Sequence, residues 1–417
     1  MRILLINKFL YSKGGDAVCT LSMGDLLRSK GHEVVFWGME HSCNPDYPYK
    51  ELFVSRIDFN NLCGSYKQVK AALNMLYSFE AKNKMGELLK QFKPDIVHLH
   101  NFAHQISPSV LHILKRHRIP IVTTMHDYKM ICASYILLNN GKVCELCRNG
   151  KYYNCFLQGC VKSSRAKSLL NTIEMYLHHN ILHIYDLINV FISPSMFLKN
   201  KLEEMGFKGK IVYIPNFVDV LEYEPKYGWE EKIIVYFGRL SQGKGIRTLI
   251  EAVKRLDVKL KIIGDGPIRE ELERMVKGES ISNVEFLGYK TGDDLKNEIK
   301  KSMFVVVPSE WYENNPISIL EAFALGKPVI GAEIGGIPEI IQDNITGLFF
   351  AAGNVNDLRD RIKLLLEEAH KIELMGRSAR VFVEEKFNSN LFYNKLIKIY
   401  ESILGEQHNV SVLQGRR

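Results

Sequence analysis

Twelve short apolar runs, six in each half, alternate with amphipathic stretches along the 417 residues. Apolar runs of this length, separated by helical patterns, form parallel sheets covered on both faces by helices. In the first half the runs are 2–7, 32–38, 95–101, 120–126, 189–193 and 211–215. In the second they are 232–238, 259–264, 283–288, 303–308, 328–332 and 347–351, with helical patterns such as 245–256 and 268–276 between them. A chain this long exceeds one core, so two domains are expected. The alternation breaks near 216–229, within VDVLEYEPKYGW. This makes residues 1–215 and 216–388 two Rossmann-like α/β domains facing a cleft. A helix over about 389–404 is expected to cross back to the first domain, and 405–417 to be a polar tail.

Composition bounds the function. With 46% hydrophobic and 24% charged residues the chain is an ordinary globular one. No apolar run reaches the roughly 18 residues of a membrane span. The start, MRILLINKFLYSKGG, reads as a buried strand rather than a signal peptide, because it lacks a small-residue cleavage site. A cytoplasmic protein is therefore expected. Charge is uneven: residues 1–200 hold 24 Lys and Arg against 14 Asp and Glu. Of the 55 basic and 47 acidic residues in all, 31 and 33 remain for the rest, so the halves carry +10 and −2. A basic first half suits anionic lipid at the inner face of the cell membrane or a phosphorylated substrate. No nucleic-acid-binding motif is present.

In open parallel sheets, ligands bind beyond the carboxyl ends of the strands. Several suggestive turns fall there. Lys13-Gly14-Gly15-Asp16 follows the first run, and its paired glycines permit positive φ and close approach of a phosphate or sugar. His126-Asp127 ends the run 120–126. Arg239 and Lys244 lie five apart after the run 232–238, spaced to grip a diphosphate. Asp265-Gly266-Pro267 and Tyr289-Lys290 end the next two runs. Taken singly, each reads equally well as ordinary punctuation between strand and helix. After the run 303–308 come Glu313, Asn314, Asn315, Pro316, Ile317 and Glu321. Asn315 is expected as N-cap and Pro316 as first helical residue. That puts one carboxylate before a helix start and another inside it, where free N–H groups favour an anion.

In this order, Gly14-Gly15, His126-Asp127, IPNFVD at 214–219, GRLSQGKG at 238–245, GDGP at 264–267 and the Glu313/Glu321 pair resemble the retaining glycosyltransferases of family 4. The resemblance runs from the first strand to about Gly353 and implies the GT-B fold. It also implies a nucleoside-diphosphate sugar on the second domain and an acceptor on the first. Arg239 and Lys244 would hold the diphosphate, and Glu321 the ribose. Glu313 and the backbone of Asn314, Asn315, Pro316 and Ile317 would meet the sugar, with His126 beside it. Gly14, Gly15, Asp265 and Tyr289 would complete the donor site. Front-face attack with the leaving phosphate as base, without a divalent cation, is likewise implied. So is transfer of a hexose or aminohexose to a glycan or lipid-linked acceptor in surface polysaccharide assembly. Rivals are a synthase or phosphorylase on the same fold, and a non-catalytic sugar-nucleotide-binding protein.

One elaboration stands apart. Within an insertion over 130–187, Cys144, Cys147, Cys155 and Cys160 offer four thiolates, enough for a structural zinc site. The alternative is four unligated thiols in a cytosolic loop. The run 162–186 beyond them reads either as a core helix or as an amphipathic helix touching acceptor or membrane.

Overall fold

A computed structural model gives the fold and describes residues 1–59 and 64–414. The first half contains β1 (Arg2–Ile6), β2 (Glu33–Trp37), β3 (Ile96–Leu99), β4 (Ile121–Thr124), a small hairpin of β5 (Leu138–Asn139) and β6 (Lys142–Val143), β7 (Val190–Ser193) and β8 (Ile211–Tyr213). The second contains β9 (Ile233–Phe237), β10 (Lys259–Ile263), β11 (Val284–Gly288), β12 (Phe304–Val307), β13 (Val329–Ala332) and β14 (Gly347–Phe350). All twelve expected runs form strands, each within two residues of the expected ends. The hairpin is additional.

Two six-stranded sheets result, ordered β2-β1-β3-β4-β7-β8 and β11-β10-β9-β12-β13-β14. Every pairing in them is parallel. The strand order reverses direction between β1 and β3 in one sheet and between β9 and β12 in the other. At such a switch point the loops diverge to opposite faces and leave a crevice. The loops after β9 and β12 carry Arg239–Lys244 and Glu313, so the topology itself brings these segments together.

The last helix spans Ser389–Gln414, ten residues past the expected end at 404. Phe392, Leu396, Tyr400 and Ile403 on it are buried in the core of the first sheet. Tyr400 Oη lies 2.6 Å from Nδ1 of His98 on β3. The chain thus crosses between the sheets twice, and the crossings meet: Val218 pairs with Asn388 in a parallel bridge, and Val218 N–H donates to the Phe387 carbonyl at 3.0 Å.

Candidate active site

The helix after β12 begins at Ile317, one residue later than expected. Pro316 precedes it with φ −67° and ψ 115°, and no side chain caps it. Asn315 does not cap because it is engaged elsewhere. Its Oδ1 accepts from Asn216 N–H at 3.2 Å, and its carbonyl accepts from Asn216 Nδ2 at 2.8 Å. Neighbouring Asn314 donates through Nδ2 to the Met125 carbonyl at 3.0 Å and accepts from Ser195 Oγ at 2.6 Å. Asn314 is therefore a strut between the halves and Asn315 a tie to the segment that crosses between them, and the first N–H groups of the helix lack a side-chain partner. Two backbone approaches hold the loop. A Cβ on Gly336 would lie 1.8 Å from the Asn314 carbonyl oxygen, and one on Gly245, at φ +67°, would lie 1.7 Å from that of Pro308.

Glu313 is buried in this loop. Its Oε1 accepts from Lys244 Nζ at 2.6 Å, Ser309 Oγ at 2.7 Å and Trp311 Nε1 at 2.7 Å. Burial pushes its carboxyl up, but Lys244 and these donors outweigh it and hold Glu313 below the usual range. Glu321 has weaker company. Burial raises it to about 7, against which a 3.2 Å hydrogen bond from Tyr223 Oη and the more distant Lys296 count for less.

Arg239 is exposed at the start of the loop after β9. Lys13 faces it from the other half. Partial burial lowers the Lys13 ammonium, and Arg239, Lys8 and Arg56 lower it further by repulsion, while Asp58 opposes them. Cations from both halves thus converge at one mouth. Asp265 contributes its carbonyl, which accepts from Leu240 N–H at 2.9 Å and joins two adjacent turns. Tyr289, at the end of β11, is exposed. Its hydroxyl donates to the Ser12 carbonyl across the cleft.

Gly14 and Gly15 adopt no positive φ. Gly14 is extended (φ −173°), and the first helix, Gly15–Ser29, starts beside it without a side-chain cap. A Cβ on Gly15 would meet nothing within 4 Å, so this glycine borders open space rather than forcing a turn.

His126 lies just beyond β4, with Nε2 2.8 Å from His100 Nδ1 and the two rings stacked 5.1 Å apart. His98 stacks on the other side of His100 at 4.7 Å. Burial lowers all three imidazoles, His98 to about 3. His100 Nε2 is buried without a hydrogen-bond partner. The Asn314–Met125 bond sets the residue before His126 against the residue after Glu313, so these two predicted residues share one site.

The Cys144, Cys147, Cys155 and Cys160 thiols lie near one another, with Cys155 hydrogen-bonded to Cys160, but they do not close to within 4.8 Å as a group. The one group of three metal-ligating side chains within 4.8 Å of one another, among the described residues, is Cys19, His100 and His126. Thiolates around a tetrahedral zinc would satisfy that distance easily. Cys147 and Cys155 instead pack with Ala133, Tyr152 and Met175 in a small apolar cluster, against which Cys160 rests. They serve as small hydrophobes there.

Sequence reasoning named Lys13 and Asn216 only as members of motifs, without a role, and passed over His100, Ser195, Tyr223 and Trp311. His100 carried the signal that marked His126, a histidine ending a buried strand. Asn216 and Ser195 act on residues 99 and 119 positions away, which no local pattern reveals.

Two facing parallel sheets with the site at their switch points are the architecture of a GT-B glycosyltransferase. The chain belongs to glycosyltransferase family 4, the group 1 glycosyl transferases: residues 13–221 match Glycosyltransferase Family 4, and residues 220–382 match Glycosyl transferases group 1. It is accordingly an enzyme, a retaining glycosyltransferase. The N-acetyl-alpha-D-glucosaminyl L-malate synthase of Bacillus anthracis is 28% identical over 411 residues, 95% of this chain and 96% of that protein. An uncharacterized 42.6 kDa protein in the cps region of Klebsiella pneumoniae is 27% identical over 353 residues, 82% of this chain and 87% of its own length. The structure of Anabaena HepE in complex with UDP and glucose superposes with a TM-score of 0.65 at 17% identity, covering 96% of this chain and 100% of that one. Among the described residues, no helix is long and apolar enough to cross a membrane.

Proposed function

We propose that the enzyme moves a hexose or aminohexose from a nucleoside-diphosphate sugar to an anionic acceptor, a glycan or lipid-linked one, in surface polysaccharide assembly. One observation carries the donor half of this reading. Cations from two loops and the uncapped start of the helix Ile317–Ala324 surround one crevice, and Glu321 stands a turn inside that helix. Cleaving a sugar–phosphate bond builds charge on the diphosphate. Fixed donors and cations placed there stabilise the transition state more than the ground state. Arg239 and Lys244 are assigned to the diphosphate. An ammonium has three donors, so Lys244 can keep its bond to Glu313 and give two to phosphate oxygens. Glu321 is assigned to the ribose. Glu313 and the Asn314–Ile317 backbone are assigned to the sugar, beside His126. The side-chain cations are assigned the charge neutralisation.

The acceptor half rests on the basic first half and on two relatives. One is named for an L-malate product and one is described as lying in a cps region, and either setting is compatible with an anionic acceptor. UDP is the first nucleotide to try, given the HepE complex. A thermal-shift series with UDP, GDP and ADP reads which one stabilises the fold. Release of that nucleotide from its sugar donor, with and without malate or a lipid phosphate, then tests transfer. No stabilisation by any of the three would overturn the donor assignment.

A further inference from the structure

The helix Arg165–Tyr176 is amphipathic in the reverse sense. It buries Ser168, Asn171, Thr172 and Glu174 together with Met175, yet exposes Leu169 (42%) and Ile173 (46%). Two of its polar inner groups meet specific partners. Lys129 Nζ meets Glu174 Oε2 at 2.5 Å, and Asn171 Nδ2 donates to the Ala133 carbonyl at 2.9 Å. Beside it runs the helix Ser65–Leu76, in contact with it. His178, just beyond the first helix, donates from Nε2 to the carbonyl of Leu76 at 2.7 Å, which joins the two. This second helix turns Ala71 and Met75 inward and exposes Tyr66 (78%), Val69 (58%) and Leu73 (61%). Positions 66, 69 and 73 share one helical face.

Single exposed apolar residues need no explanation, but two adjacent helix faces of them do. The charge around them has one sign. Residues 59–79 contain two lysines and no acid, and residues 146–173 contain five basic residues and no acid. Lys67 and Lys70 interleave with the apolar stripe of their helix, and Arg165 and Lys167 flank the other; all four are exposed. An apolar stripe bordered by cations is the pattern that lies in a membrane interface, with the apolar groups at the acyl boundary and the cations on anionic headgroups.

We propose that the exposed faces of the helices Ser65–Leu76 and Arg165–Tyr176 form one surface that docks on an anionic phospholipid bilayer. The proposal deepens the lipid-linked arm of the acceptor reading and rests on it for its biological purpose. Both helices belong to the first half, which is assigned the acceptor.

Sedimentation of the full chain tests this, with vesicles of equal phosphatidylglycerol and phosphatidylcholine against phosphatidylcholine alone, at low and high salt. The wild type is expected to pellet with the anionic vesicles at low salt and to be released as salt rises. Val69→Ser/Leu73→Ser/Ile173→Ser should weaken this by ~tenfold or more through lost apolar burial, and Lys67→Gln/Lys70→Gln by a similar ~tenfold through lost charge. These sites are exposed, so both variants should melt like the wild type. Anionic-vesicle affinity within about twofold of wild type in both variants would overturn the proposal. So would a wild type that ignores anionic vesicles at low salt but is a dimer split by the apolar triple substitution; the occupant would then be a second copy of the chain. The vesicle assay contains neither donor nor acceptor. Its failure leaves nucleotide binding and transfer to soluble acceptors untouched, and their failure leaves vesicle binding standing.

Discussion

Lys244 Nζ lies 2.6 Å from Glu313 Oε1, which joins the loop after β9 to the loop after β12 at the point where the strand order reverses. Neither side chain is far from water, but both are largely covered, at 22% and 10% exposure. Removing the ammonium leaves a covered carboxylate with only neutral donors. Lys244→Ala should therefore cost ~3 kcal/mol of stability as well as ~100-fold or more in turnover. Lys244→Met/Glu313→Gln should recover most of the stability and none of the turnover. Denaturant melts and nucleotide release on the three proteins check this. A single variant as stable as wild type would mean that the pair contributes nothing to the fold.

Glu321 should make the empty enzyme less stable as pH rises. Its carboxyl sits at about 7 in the fold, above its ordinary value of 4.5. The native state therefore holds a proton that the unfolded chain releases between those values, and stability falls from pH 4.5 to about 7. Glu321→Gln removes the cost. It should raise the melting temperature at pH 8 by ~2 °C or more, with little change at pH 4.5. The same substitution should weaken nucleotide binding, and Glu321→Ala more so, by ~1.5–3 kcal/mol for a lost charged hydrogen bond. Equal melting shifts at both pH values would contradict the protonation argument.

The histidine stack predicts the opposite pH response. His98 is lowered by burial from 6.5 to about 3, and His100 and His126 are lowered too. Below pH 6.5 the unfolded chain takes up protons that the folded one refuses, so stability is lost from there toward pH 3. His98→Gln should flatten the acid limb of a stability-against-pH curve even though it costs ~1–2 kcal/mol at pH 7 through its bonds to Tyr400 and Thr124. An unchanged acid limb would remove His98 from the explanation.

Tyr289 spans the cleft to the Ser12 carbonyl. Tyr289→Phe removes only that hydroxyl, so the donor KM should rise by ~2–10-fold, the loss of one neutral hydrogen bond, with melting temperature nearly unchanged. Steady-state kinetics with varied donor check it. An unaltered KM would mean that the bond does not hold the closed cleft.

Zinc analysis of protein purified without added metal should find no equivalent held by Cys144, Cys147, Cys155 and Cys160. One tightly held zinc per chain, lost on Cys155→Ser, would restore the four-thiolate site.

Strand positions were legible because buried parallel strands read as unbroken apolar runs, and each run marks its own ends. The site's edge was legible for the same reason: once strands are known, ligands belong beyond their carboxyl ends. What stayed hidden depended on partners far along the chain. Asn315 has every local feature of an N-cap, and only the arrival of Asn216 diverts it. The paired glycines at 14 and 15 suggest a left-handed turn, but glycine also occurs where a Cβ would narrow a crevice, and sequence does not separate the two uses. The cysteines have a credible metal spacing, yet spacing says nothing of how tightly the thiols close on one point within their small apolar cluster.

The two chain crossings lie side by side, bridged at Val218 and Asn388, with the last helix anchored through Tyr400 in the opposite core. Paired spans of this kind act as a door hinge with two leaves. The halves can swing apart about the line joining them, while sliding and twisting would tear the bridge. Donor entry and product exit then share one coordinate, the opening angle. The Asn314 strut to Met125 and the Tyr289 bond to Ser12, which tie the halves outside the crossing segments, are the first contacts such a swing would break.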